Sequence, residues 1–113
     1  YVVLNIFPYA TGHILIVPYE HVAVLNQADE RSTYEMMKLT RGAEAALAEA
    51  YSPEGFNIGM NLGRSAGAGI AEHLHMHILP RWYGDVNFLT AVGQTRNIPE
   101  SLTDTFQKLS GKM

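Results

Sequence analysis

Residues 73–82 read His73-Leu74-His75-Met76-His77-Ile78-Leu79-Pro80-Arg81-Trp82, with histidine alternating against apolar residues before two further apolar positions. A period of two is the period of a β-strand, whose successive side chains point to opposite faces. His73, His75 and His77 therefore share one face, while Leu74, Met76 and Ile78 share the face turned to a core. At ordinary strand rise, neighbouring histidines on that face lie roughly 7 Å apart, as a row rather than a cluster. Imidazoles near neutral pH supply nucleophiles, donors and acceptors.

Three readings of the row follow. It could be a half-buried strand with its histidines satisfied by hydrogen bonds. It could hold a metal, since an i, i+2 histidine pair on a strand can bind zinc. That requires a third ligand from elsewhere, and Glu72 points to the opposite face while the chain has no cysteine. Or an imidazole could act as a nucleophile while the other histidines manage protons. No metal site and no cofactor are expected.

Upstream, residues 63–69 read Gly63-Arg64-Ser65-Ala66-Gly67-Ala68-Gly69. Three glycines in seven residues allow backbone N–H groups to turn inward around an anion. The loop lacks the Gly-Lys-Ser/Thr ending of a P-loop. Its position directly before the histidine strand makes a phosphate site the economical reading. Residues 56–62 alternate and read as a strand placing Asn57, Gly59 and Asn61 on one face. Residues 1–6 and 13–17 read as two strands of an antiparallel hairpin, broken by a turn containing Pro8 and Gly12, with Asn5 and His13 near its ends.

Residues 29–50 carry a helical pattern: an acidic capping residue, then Met36, Leu39, Ala43, Leu47 and Ala50 at spacings of three and four. The helix is expected to cover the sheet and to stop at Ser52-Pro53-Glu54-Gly55. Residues 87–92 are expected to form a short strand or extended segment. A short C-terminal helix opens near Pro99, with Leu102, Phe106 and Leu109 as its apolar stripe. The fold class is α+β, an antiparallel sheet of about five strands with one long and one short helix.

At 113 residues the chain is read as one domain, 1–113. A net charge of −3 with no basic run gives no footprint for nucleic-acid polymers. No apolar run approaches the roughly 20 residues that span a bilayer, so no membrane partner is expected. The absence of cysteine is consistent with an intracellular, cytoplasmic setting. Because Tyr1 already lies in a strand-like run, a preceding N-terminal segment is expected.

The run at 73–79 resembles the signature of the histidine-triad (HIT) superfamily of nucleotidyl hydrolases and transferases. Pro80-Arg81-Trp82, then Gly84-Asp85-Val86-Asn87-Phe88, is similar to the branch of diadenosine polyphosphate phosphorylases and fragile-histidine-triad hydrolases. Leu4-Asn5-Ile6-Phe7-Pro8-Tyr9 and Gly12-His13-Ile14-Leu15-Ile16-Val17-Pro18 extend the resemblance over nearly the whole chain. The resemblance implies a HIT-like fold, a homodimer and a purine nucleotide substrate cleaved at its α-phosphate. Nucleoside phosphoramidates are the alternative substrate class, and a metal-dependent hydrolase or a non-catalytic nucleotide-binding module are rivals of another kind.

By the same resemblance, His75 is the nucleophile that forms a nucleotidyl-histidine, with its other ring nitrogen donating to a backbone carbonyl. His77 assists the leaving group, His73 and His13 orient the row, and Asn5 contacts ribose or phosphate. His21 is expected to be structural. Backbone N–H groups of Gly67, Ala68 and Gly69, with Asn61, are expected to hold the phosphate oxygens. Better-known branches carry glutamine or serine where this chain has Gly69, which leaves only backbone donation there. Val3 and Leu4 are candidates for lining a base pocket.

Overall fold

The structure, a computed structural model, describes residues 1–5, 11–85 and 100–112. The stretch 87–92 and Pro99 lie outside the described residues. Among those described, four strands form one antiparallel sheet, one fewer than the sequence suggests: β1 (Val2–Leu4), β2 (Ile14–Ile16), β3 (Gly55–Gly59) and β4 (Met76–Arg81). Their spatial order is β1-β2-β4-β3, so the histidine strand sits inside the sheet, between β2 and β3. Among the described residues two α-helices, α1 (Glu30–Tyr51) and α2 (Leu102–Leu109), join the sheet in an α+β architecture.

The period-two pattern decides which face of β4 is buried. Leu74, Met76, Ile78 and Pro80 are buried, while His73, His75, His77, Leu79 and Arg81 between them are half-buried. The inner set meets Ile14, Ile16, Met36, Ala43, Ala46 and Leu47 in the core. Register then carries the outer face across the sheet: Val3 pairs with Leu15, Leu15 with His77, and His77 with Gly59. Val3, Leu15, His77 and Gly59 thus form one transverse row on the histidine face, and Leu4, paired with Ile14, belongs to the core face.

The ladder of β4 starts at Met76, so His73 and His75 precede the strand rather than lie in it. β2 ends at Ile16 and runs into Pro18, which has no N–H to donate to a ladder, so pairing cannot extend backward from Met76. The lead-in is held instead by Leu74 N–H donating to the Val22 carbonyl at 2.8 Å. Leu74 stays 2% exposed, so the alternation of faces survives without the ladder.

Helix α1 starts where expected. The Asp29 side chain accepts from the Ser32 N–H at 3.3 Å, satisfying one of the free donors of the first turn. It ends at Ser52, whose left-handed conformation (φ 47°) closes the last turn, with its N–H donating to the Ala48 carbonyl. Its buried stripe is Met36, Thr40, Ala43 and Leu47, with Ala46 beside it. Leu39, expected inward, is 39% exposed; Thr40 takes the buried turn because its hydroxyl donates to the Met36 carbonyl at 2.7 Å.

Helix α2 is capped by Ser101, whose side chain accepts from the Asp104 N–H at 3.1 Å. It buries Thr105 and Leu109, whereas Phe106 is 64% exposed and Leu102 37% exposed, so the contact face is rotated from the apolar stripe. Glu100 explains the rotation. Its carboxylate accepts from Thr105 Oγ1 at 2.6 Å, from the Tyr51 hydroxyl and from Lys108 Nζ, tying the start of α2 to the end of α1. Neither helix is long and apolar enough to cross a membrane.

Candidate active site

Several residues singled out from the sequence meet on the outer face of the sheet. His77 projects from β4, and His13, immediately before β2, reaches across to it: His13 Nε2 lies 2.9 Å from His77 Nδ1. Asn5, immediately after β1, places its Nδ2 3.0 Å from His13 Nδ1, while its backbone N–H donates to the His13 carbonyl at 3.1 Å. The hairpin thus brings Asn5 and His13 into one hydrogen-bonded line with His77 of β4. Gly12, at φ +80°, makes the turn that launches His13, and it packs against Pro80 and Leu47 so closely that a Cβ would lie 3.0 and 3.1 Å from their side chains.

His75 stands beside this line. Its ring is edge-on to that of His77, with centroids 4.7 Å apart, closer than backbone spacing alone suggests. Its Nδ1–H donates to the His73 carbonyl at 3.0 Å, so the lone pair of the neutral ring resides on Nε2. This is the tautomer a nucleophilic imidazole needs.

His73 leaves the row. Its Nε2 donates to the Pro18 carbonyl at 2.8 Å, and its Nδ1 then accepts from His21 Nδ1 at 3.3 Å. With the Leu74–Val22 bond, these contacts clamp residues 18–22 onto the lead-in and fix the carbonyl that orients His75. His21 lies 52 residues from His73 in the chain, and no spacing signal in the sequence connects the two.

The electrostatics of the line favour uncharged rings. Burial, then the neighbouring His77 and His75, lowers the His13 pKa to about 4. Burial, then His75, also holds His77 below the usual histidine range. Removing an imidazolium from water costs free energy, and adjacent rings cannot all be cationic.

The glycine loop contains a short 3-10 turn, Arg64–Ala66, flanked by Gly63 at φ 85° and Gly67 at φ 94°. Three of its N–H groups are used internally: Ala66 and Ala68 donate to the Gly63 carbonyl and Gly67 to the Arg64 carbonyl. Among the described residues, Gly69 N–H makes no such bond, and it lines an open cleft of about 560 Å³ with Arg64, Ala68, Ile70, Ala71 and Glu72. Asn61 is exposed and its Nδ2 lies near Gly67, so the side chain leans on the loop. Among the described residues no group of three His, Cys, Asp or Glu side chains is arranged to hold a metal ion.

Beyond β4, Arg81 closes a turn. Its guanidinium makes two bonds to Asp85, 2.8 and 2.7 Å long, and a third to Asn57 Oδ1, while Trp82 N–H donates to the same carboxylate. The bidentate pair gives Arg81 a structural place at the end of the strand. Val3 and Leu4 line an apolar cleft of about 250 Å³ with Val2, Ile14, Phe106 and Leu109. Register nonetheless turns only Val3 of the two toward His77.

The chain is similar to known proteins. A HIT domain family model matches residues 1–83. An AP-4-A phosphorylase of Mycobacterium tuberculosis is 44% identical over 110 residues, covering 97% of this chain and 56% of the relative. An adenosine 5'-monophosphoramidase of Schizosaccharomyces pombe is 32% identical over 69% of this chain and 55% of its own length. The chain therefore spans little more than half the length of these two curated relatives. In structure, a Hit-like protein from Bartonella henselae superimposes with a TM-score of 0.79 at 22% identity, over 99% of this chain and 79% of that one, a likeness of fold. On the match of residues 1–83 and the 44% identity over nearly its full length, the chain belongs to the HIT-domain family.

Proposed function

We infer that the protein is a nucleotidyl hydrolase or transferase that cleaves dinucleoside polyphosphates at the α-phosphate through a nucleotidyl-histidine on His75. The observation that carries this reading is the His75 tautomer. With Nδ1–H bonded to the His73 carbonyl, Nε2 holds an available lone pair beside His77. In the first step that lone pair attacks the α-phosphorus, the bond to the leaving phosphate oxygen breaks, and the electron pair departs with that oxygen. The positive charge developing on His75 is shared with the His73 carbonyl. Water or inorganic phosphate then takes the nucleotidyl group and regenerates the imidazole.

Gly69 N–H and Asn61 are the groups proposed to meet phosphate oxygens, with Gly67 and Ala68 shaping the loop that presents them. Val3 and Leu15, in one row with His77, offer apolar surface for a purine. His73 acts by fixing its own carbonyl. The reading includes a homodimer in the cytoplasm, without a metal or other cofactor. The 44% identity to an AP-4-A phosphorylase supports the polyphosphate substrate, and the likeness to a monophosphoramidase supports nucleoside phosphoramidates as the second choice.

The test is product analysis with diadenosine tetraphosphate, with and without inorganic phosphate, comparing the protein with His75→Ala in the presence of a chelator. AMP plus ATP identifies water as acceptor, and ADP plus ATP only with phosphate identifies phosphate. Both products should vanish in the variant and be indifferent to the chelator. Chelator-sensitive cleavage that survives loss of His75 would refute the mechanism.

A further inference from the structure

We propose that Asn5 is a positioning residue whose amide, acting through His13, fixes the tautomer of His77 so that His77 Nε2 presents an N–H to the bound phosphate chain. The argument is a count of protons along one line. The amide nitrogen of Asn5 can only donate, and it faces His13 Nδ1 at 3.0 Å, so that nitrogen carries the lone pair. A neutral His13 then bears its single proton on Nε2, which donates to His77 Nδ1 at 2.9 Å. A neutral His77 must in turn bear its proton on Nε2. Burial keeps both rings uncharged at neutral pH, which makes the chain of assignments directional. A second hydrogen bond, from the Asn5 backbone to the His13 carbonyl, holds the amide in register with the ring.

The consequence rests on the nucleotidyl-transfer reading above. His77 Nε2–H donates a hydrogen bond to the oxygen that departs from the α-phosphorus, but it keeps its proton, because giving it up would leave an imidazolate. The departing group therefore leaves with its electron pair and no proton. A phosphate chain does this readily; an amine needs a proton from another source. The neighbouring rings accordingly play opposite parts: His75 offers a lone pair at Nε2, and His77 offers an N–H at Nε2. Two different hydrogen-bond partners make that difference: the His73 carbonyl accepts from His75, and the Asn5-oriented ring of His13 donates to His77.

The test reads the tautomers in the free, full chain by two-bond ¹⁵N–¹H correlation of the histidine rings, without substrate. At pH 7.5, His77 should show a protonated Nε2 and a bare Nδ1, and His13 the same pattern. In Asn5→Leu, which has similar bulk and no donor, the ¹⁵N shifts of each ring should move toward one another as tautomers mix. With diadenosine tetraphosphate the same variant should lose kcat by up to about tenfold, the factor that one ordinary hydrogen bond carries, with KM within about twofold. A His77 protonated at Nδ1 in the unsubstituted protein overturns the proposal even if no variant folds. So does Asn5→Leu with an unchanged ring pattern and a raised KM, which would make Asn5 a substrate contact. Absence of a nucleotidyl-histidine alongside the expected tautomers would instead count against the nucleotidyl-transfer reading alone.

Discussion

Replacing Gly12 by alanine should destabilise the protein through two separable costs. The backbone is at φ +80°, where an L-residue loses roughly 1–2 kcal/mol relative to glycine. The added Cβ would stand 3.0 Å from Pro80 Cγ and 3.1 Å from Leu47 Cδ2, and Pro80 and Leu47 are both among the fully buried side chains with little room to yield. Overpacking of that kind costs about 1–3 kcal/mol. The reduced freedom of the unfolded chain returns roughly 0.4–1 kcal/mol, which leaves a net loss of about 1–4.5 kcal/mol. Urea unfolding at fixed protein concentration measures it. Gly84→Ala isolates the first cost, because Gly84 has φ +78° and, among the described residues, nothing within 4 Å of a new Cβ. Gly42→Ala, inside α1 with open space around it, should gain roughly 0.5–1 kcal/mol. If Gly12→Ala loses no more than Gly84→Ala, the packing argument for how His13 is seated is wrong.

Further outcomes follow from the same coordinates. Ile78, fully buried at the centre of β4, should cost about 2–5 kcal/mol as Ile78→Ala and about 0.5–1.5 as Ile78→Val, read by the same unfolding measurement. The folded pKa of His13 is depressed from 6.5 to about 4, so its contribution to stability is complete above 6.5 and is lost as pH falls through about 4. Urea midpoints should decline across that window, less steeply in His13→Gln, and by less than the roughly 1.4 kcal/mol per pH unit of one full proton because the ring is only partly shielded. Burial and then the Glu100 carboxylate push the Tyr51 hydroxyl up to about 12. In ultraviolet titration, the tyrosine absent from Tyr51→Phe should ionise near that value and move down in Glu100→Gln; unchanged titration would count against the link between α1 and α2.

How much of this was legible in the sequence depended on whether the signal was local. Alternation over residues 73–80 determined which face of the histidine segment is buried, because a one-residue shift would have turned Leu74, Met76 and Ile78 to solvent. Asp29 and Ser52 marked the ends of α1, since caps act within a turn. Local pattern misplaced Leu39 and Phe106, where a competing polar contact decided the buried face: Thr40 bonded within its helix, and Glu100 anchored α2. The family resemblance likewise rested on residues in single short stretches.

Distances along the chain account for what the sequence left open. That the row of three histidines divides, with His73 drawn to Pro18 and His21 and His77 to His13, depends on contacts between segments 52 to 64 residues apart. Residue identity supplied imidazoles and amides, whereas their tautomers depend on which atom faces which partner. Sequence by itself determined the strand, its two faces and the chemical groups on one of them, because side-chain alternation is a property of the local backbone. Tertiary structure alone decided which partner each ring nitrogen of His13 and His77 faces, because those partners come from other segments of the chain and the rings are brought together partly out of water.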